Sequence, residues 1–247
     1  MIVTDEMLGR LRNDNDYYGA YGKQFLSNSD ISSLLWNPRE FRKSGDEDNI
    51  NYAKGRYFHQ LILEPEKAAE TKFIKASTRN TNIYRDFIEK NKMSFVLLEK
   101  EGQEIRDCVN RMVSNLAFFE GIREEGARYE VPAIKEIHGV MWKGKADIVG
   151  TRQLIDLKTT SKIADFKYSA RKYNYDSQCF IYQELFGRPL VFYVVDKTSG
   201  MIGMYHPTAD FVSRGEEKVI KAIDAYQKFF GENPTKDIES FYIDEML

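Results

Sequence analysis

The sequence predicts an α/β fold, a central mixed β-sheet flanked by helices with a helical portion ahead of it, and three observations predict it. After residue 119 the hydrophobic period changes from 3.6 to 2, so strands follow helices. The run Leu190-Val-Phe-Tyr-Val-Val has the continuous apolar pattern of a strand buried on both faces. The coarse order is then helices, three strands, a helix, a strand and a helix, which a mixed sheet with packed helices accommodates.

Each element has its own signal. Residues 27 to 37 read as a short helix, with Ser29 as N-cap, Ile31, Leu34 and Leu35 on one stripe, and Pro38 as the stop. Pro38 opens the next turn and Phe41 faces in. A second helix is expected over 51 to 64, carrying Gly55, Phe58, His59, Leu61 and Ile62 and ending near Pro65. The clearest helix spans 103 to 119, where Ile105, Val109, Met112, Val113, Leu116 and Phe119 recur at helical spacing. Tyr129-Glu-Val-Pro-Ala-Ile-Lys-Glu-Ile reads as a strand. Next, Val140, Trp142, Gly144, Ala146 and Ile148 alternate with Met141, Lys143, Lys145, Asp147 and Val149, one packed face against one polar face. Gly150-Thr-Arg-Gln supplies a turn, after which Ile155 and Leu157 alternate with Asp156 and Lys158. This hairpin aims Asp147, Asp156 and Lys158 at one spot. Residues 167 to 186 read as a helix and 209 to 230 as a closing helix. No repeat or Pro-rich linker divides the chain, so a single domain is expected over 1–247, helical to about 125 and with the catalytic sheet and its helices over about 126–232.

Composition narrows the function classes. With 247 residues, 42% hydrophobic and 30% charged, the chain is globular rather than disordered or collagenous. No window approaches the roughly 20 apolar residues of a membrane span. The start, Met1-Ile-Val-Thr-Asp-Glu, lacks a secretory signature, so a cytoplasmic location is expected. Two cysteines, Cys108 and Cys179, assemble neither a disulfide framework nor a four-cysteine metal site, which leaves oxygen and imidazole as metal ligands. The net charge of −2 opposes tight binding to nucleic acid if spread evenly, but it is not. From 143 to 172, eight basic residues (Lys143, Lys145, Arg152, Lys158, Lys162, Lys167, Arg171, Lys172) face three acidic ones, Asp147, Asp156 and Asp165. Lys143, Lys145, Lys162, Arg171 and Lys172 are therefore candidate substrate contacts. The tail acids Asp237, Glu239, Asp244 and Glu245 read as a solvated end.

Two carboxylates converging at a strand end, with a lysine two residues after the second, suit Mg²⁺ and phosphodiester chemistry. Mg²⁺ prefers hard oxygen ligands and keeps waters, one of which it can activate. A neighbouring ammonium can stabilise the developing hydroxide, hold the scissile phosphate or, if its pKa is depressed, accept a proton. A D-x-K triplet alone is more often a strand-edge ion pair, and a lone histidine on an amphipathic helix is more often a satisfied polar residue. Tyrosines at helical spacing are more often core, whereas a buried amide such as that of Gln178 needs partners. Glu130 and Glu136 share a strand face by even spacing, so either can supply an upstream acid.

Taken jointly, the motifs resemble the PD-(D/E)xK nuclease superfamily, in the branch of the RecB nuclease domain, RecE and lambda exonuclease. The resemblance runs from about residue 27 to about 196. It rests on Ser27-Asn-Ser-Asp-Ile-Ser-Ser-Leu-Leu-Trp-Asn-Pro-Arg-Glu-Phe, on Gly55-Arg-Tyr-Phe-His59, on Glu130, on Gly144-Lys-Ala-Asp147 with Ile155-Asp156-Leu-Lys158, and on Tyr175, Gln178 and Tyr182. It implies a restriction-endonuclease-like core. Asp147 and Asp156 would be the principal metal ligands, the Leu157 carbonyl a further one and Lys158 the catalytic lysine. Glu130 would hold a second metal or its water shell, and His59 would contact the metal or orient a ligand. Gln178, Tyr182 and Tyr175 would position Lys158 or the phosphate. The cofactor implied is Mg²⁺, with Mn²⁺ substituting, as one or two ions.

The same resemblance implies an exonuclease acting on DNA ends in phage recombination or repair, with a homo-oligomer and a single-strand annealing protein as expected associations. Asn37 stands where some relatives carry an iron–sulfur cysteine, so no iron–sulfur cluster is expected, and no Gly-Lys-Ser/Thr nucleotide loop is present. Two alternatives stand beside this reading. One is a structure-selective or single-strand endonuclease using the same site. The other is a non-catalytic DNA-binding protein on a nuclease scaffold, disfavoured because every acid and the lysine are present.

Overall fold

The computed structural model describes residues 2–43 and 49–243. The helical portion contains α1 (Asp5–Leu11), α2 (Asp14–Tyr18), α3 (Asp30–Trp36), α4 (Ile50–Leu63), α5 (Pro65–Ala69), α6 (Asn82–Asn91), α7 (Glu99–Val113) and α8 (Leu116–Ile122). Two short parallel strands, β1 (Phe73–Ile74) and β2 (Leu97–Leu98), pair beside α7. The second part contains β3 (Arg128–Ile137), β4 (Val140–Val149), β5 (Leu154–Thr160), α9 (Phe166–Lys172), α10 (Tyr175–Phe186), β6 (Leu190–Asp196), β7 (Ile202–Tyr205) and α11 (Ala209–Phe229). Asp244 and Glu245 of the acidic tail lie outside the described residues.

The expected mixed sheet is present as five strands in the order β3-β4-β5-β6-β7, with β5 and β6 parallel and the other neighbours antiparallel. The chain passes from β5 to its parallel partner through α9 and α10, as a parallel pair requires. On one face Ile148, Ile155, Leu157, Val191, Tyr193 and Val195 pack against α4, α7 and α8. On the other, Ala146, Val149, Leu154, Phe192 and Val194 meet Phe166 of α9 and Cys179 of α10. Outside α10 lie α11 and α3, around Trp142. Burial on both faces explains why β6 is apolar throughout.

Four sequence expectations need correction. The helix expected over 103–119 stops at Val113, because the Asn115 side chain accepts the Phe118 N–H and starts α8 in a new direction. Leu116 and Phe119 consequently face solvent rather than the core. The helix expected over 167–186 is two helices, separated at Asn174, which adopts the left-handed conformation at φ +57°. Ser29 stands at the start of α3 without a capping bond; the Asp30 carboxylate instead accepts the Ser27 N–H at 2.8 Å. Finally, the polar face of β4 is not solvated, since Lys143 and Asp147 are both buried.

The pairing of β4 with β5 is what opens a site. The two strands are joined only at Ile148–Ile155 and Val149–Leu154 and then diverge. Further along, β4's outer edge is taken by the N-terminal segment: Leu26 N–H donates to the Met141 carbonyl at 2.9 Å and Lys143 N–H to the Leu26 carbonyl at 2.8 Å. Between these two contacts the Tyr182 hydroxyl donates to the Lys145 carbonyl at 3.0 Å.

Gly215 of α11 lies so close to the first turn of α10 that an added Cβ would stand 2.0 Å from the Asp176 carbonyl oxygen. Gly215→Ala should therefore push two packed helices apart and cost about 1–3 kcal/mol or more, read from urea unfolding. The break after Val113 gives a sharper contrast. Met112 is wholly buried and Leu116 is 69% exposed. Met112→Ala should cost about 2–5 kcal/mol. Leu116→Ala should stay within about 0.5 kcal/mol by the same assay.

Candidate active site

Three elements deliver carboxylates and an imidazole to the gap between β4 and β5. His59 comes from the last turns of α4, whose Phe58 and Ile62 anchor it in the core on the adjoining side. Glu130 comes from β3 and Asp147 from β4. One ligand atom from each of the three lies within 4.8 Å of the others. The Asp147 carboxylate accepts the Leu157 N–H at 2.7 Å, a bond that replaces the missing ladder between the diverging strands. Its other oxygen stands 3.4 Å from His59 Nδ1.

Glu130 and Asp147 fall between the paired Tyr129–Ile148 and Val131–Ala146 of β3 and β4, and the Glu130 backbone sits at φ +50°. A left-handed non-glycine residue inside a strand is strained by about 1–3 kcal/mol. The residues on either side keep the same pairing, so the distortion is local to the side chain that joins the cluster.

Beside this trio lies a second group. Asp156 accepts Gln178 Nε2 at 2.6 Å on one oxygen and has Lys158 Nζ at 2.6 Å from the other. The Lys158 ammonium also lies 4.8 Å from the centre of the Tyr175 ring. Phe166 and Phe192 hold that ring from behind, with centroids 5.9 and 5.4 Å away.

The charges bias one another. Burial raises the Glu130 carboxyl, and the neighbouring Asp147 charge adds to it, to about 7. Burial would also raise Asp147, but the His59 charge and hydrogen bond, Lys158 and the Leu157 N–H together hold it below the usual carboxylate range. Burial pulls His59 down, yet Asp147 outweighs it and pushes the imidazole up to about 9. Burial likewise opposes the charge on Lys158, and the carboxylates of Asp156 and Asp147 more than restore it, so its pKa lies above the ordinary value. With the two carboxylates beside it, Lys158 favours its ammonium form.

The remaining candidates divide. Glu130, not Glu136, reaches the cluster; Glu136 is exposed opposite Met141 at the far end of β3. The Tyr182 hydroxyl donates to the Lys145 carbonyl and its ring packs closely on Gly144, which makes it a support of β4. Lys143 is buried, its ammonium bonded to the Tyr17 carbonyl and lying 4.1 Å from that ring's centre, so it does not face a substrate. Lys145 pairs with Asp14 at 2.5 Å and stands 4.0 Å from Glu130, which puts it beside the acids as a compensating charge. Lys162 pairs with Asp165 at 2.8 Å, and Arg171 and Lys172 are exposed on α9. Sequence reasoning missed the contribution of α2: Asp14, Tyr17 and Tyr18 close the cluster's other side, and no motif marks them.

Among the described residues, no helix is long and apolar enough to cross a membrane. No curated protein matches the chain. Its fold is similar to that of a protein from Eubacterium rectale described as "putative exonuclease", with a TM-score of 0.62 at 16% identity, covering 100% of this chain and 96% of that one. A phage related exonuclease from Haemophilus somnus 129PT is a more distant likeness, with a TM-score of 0.32 at 15% identity over 69% of this chain and 91% of the other. The profile of one family, described as a PDDEXK-like domain of unknown function (DUF3799), matches residues 37–235, a span that holds His59, Glu130, Asp147, Asp156, Lys158 and Gln178. The chain belongs to that PDDEXK-like family and has its nuclease-type fold.

Proposed function

We propose that this protein is a Mg²⁺-dependent deoxyribonuclease that hydrolyses phosphodiester bonds, and that it acts as an exonuclease on DNA ends. The observation that carries this reading is the meeting of His59, Glu130 and Asp147 within 4.8 Å, beside Asp156 and its ion-paired Lys158. A buried and a half-buried carboxylate held together raise one another's affinity for positive charge, and the Glu130 pKa, raised by burial and by the Asp147 charge, is in keeping with that demand. Their oxygens, with the imidazole, fit a divalent cation, Mg²⁺ by the carboxylates and Mn²⁺ also by the nitrogen. His59, Glu130, Asp147 and Asp156, with the Leu157 carbonyl, would hold it. When bound, such an ion lowers the pKa of a coordinated water and neutralises charge on the phosphate.

The protein's own groups have separate tasks. Lys158 presents a fixed ammonium to the non-bridging oxygens of the scissile phosphate, and charge building there in the transition state strengthens that contact. Asp156 and the Tyr175 ring fix the position of the ammonium. Gln178 orients Asp156 through its amide, and His59 and the Leu157 N–H orient Asp147.

A linear duplex labelled at either end should be degraded with Mg²⁺ and spared with EDTA, while the same DNA as a closed circle should survive. Cutting of the circle would move the reading to an endonuclease. Lys158→Ala should lower the rate by about 10²-fold or more without loss of fold. Full activity in that variant would sink the assignment. Gln178→Ala should retain the fold and lose roughly 10- to 100-fold, since Asp156 then loses its orienting partner.

A further inference from the structure

Of the eight basic residues between 143 and 172, the structure withdraws Lys143, Lys145 and Lys158 into buried contacts and pairs Lys162 with Asp165. Of the other four, Arg152 is exposed in the β4–β5 turn and three lie together on α9, the densest group of unpaired cations in this stretch. Lys167, Arg171 and Lys172 are exposed there, and none has a carboxylate within ion-pair distance among the described residues. The same short stretch carries two large rings out in water: Tyr168 is 70% exposed and Tyr173 57%. A helix that buries Phe166 and Ala170 has no packing reason to show tyrosines on its outer side.

Tyr173 is also linked to the chemistry. The Lys172 ammonium lies 5.5 Å from the Tyr173 ring centre. Tyr173 is 6.3 Å from Tyr175, and Tyr175 is 4.8 Å from Lys158 Nζ. Two neighbouring rings with a cation at each end, the inner one the lysine assigned to the scissile phosphate, suit single-stranded nucleic acid: phosphates pair with the cations and unpaired bases stack on the rings. A duplex could use only the cations, because its bases are already stacked on one another.

We propose that the outer face of α9 with Tyr173 is a binding platform for one unpaired DNA strand adjoining the cleavage site, its bases stacking on Tyr168 and Tyr173 and its phosphates on Lys167, Arg171 and Lys172. The proposal deepens the nuclease reading by naming the strand form that the site receives, and rests on it only for the direction of the path.

The test is fluorescence anisotropy of a labelled oligothymidylate of about 15 nucleotides with the full chain in EDTA, so the result does not depend on whether the site cleaves. The wild type should bind this probe more tightly than a blunt duplex of equal length. Tyr168→Ala/Tyr173→Ala should lose about tenfold or more in affinity, at an unchanged melting temperature. Tyr168→Phe/Tyr173→Phe should restore it, because stacking uses the ring and not the hydroxyl. Lys167→Ala/Arg171→Ala/Lys172→Ala should reduce the slope of log affinity against log salt by about 2. Binding by the double alanine variant within twofold of wild type would overturn the proposal, as would equal losses for the single strand and the blunt duplex. Failure of the wild type to cleave any DNA, with these binding differences intact, would reject the nuclease reading and leave the platform standing.

Discussion

The divergence of β4 from β5 after two paired residues is the constraint on which the site depends. A continuous ladder would bury backbone against backbone and leave no room for the Asp147 carboxylate to reach across to the Leu157 N–H. Because the strands part, backbone groups on both need other partners: Leu26 and the Tyr182 hydroxyl serve β4, and the Asp147 side chain reaches across the gap to take the Leu157 N–H of β5. The N-terminal segment and α10 are therefore part of what keeps the gap open, and residue 144 is a glycine where a Cβ would stand 2.4 Å from the Tyr182 ring and 2.6 Å from Leu185.

Charge within the gap is balanced in a defined pattern. Asp147 has His59, Asp156 has Lys158 and Glu130 has Lys145 at longer range. The pairings are unequal. The first holds Asp147 below the usual carboxylate range, whereas burial leaves Asp156, even beside Lys158, and Glu130 with raised pKa values. Buried ion pairs of this kind gain little net stability, since desolvation offsets attraction. Their value here is positional, because each cation holds a carboxylate in a fixed orientation before any substrate arrives.

Much of this was legible in the sequence. Alternation located β4 and β5, and the positions of Asp147, Asp156 and Lys158 on one face followed from the period of two. The four-residue spacing of Gly55 and His59, and of Gln178 and Tyr182, placed them on single helix faces. What escaped has physical reasons. The stripe through Leu116 and Phe119 continues the helical period past Val113, so periodicity could not register a break made by one hydrogen bond to Asn115. Asn174 interrupts a helix through its backbone conformation, which composition does not encode. The edge strand β7 is only four residues long and half-buried, too brief for alternation to stand out. Lys143 and Lys145 read as surface charges because the residues that cover them, Tyr17 and Asp14, lie more than a hundred positions away in the chain.

The strained conformation of Glu130 has a consequence for how this fold could change over generations. Glycine is the residue that a backbone at φ +50° prefers, and a single replacement there would relieve strain while deleting the carboxylate that meets Asp147. Selection for robustness and selection for catalysis would thus pull this one position in opposite directions. A descendant freed from the chemistry would be expected to relax first at residue 130, gaining a sturdier sheet as it lost an acid.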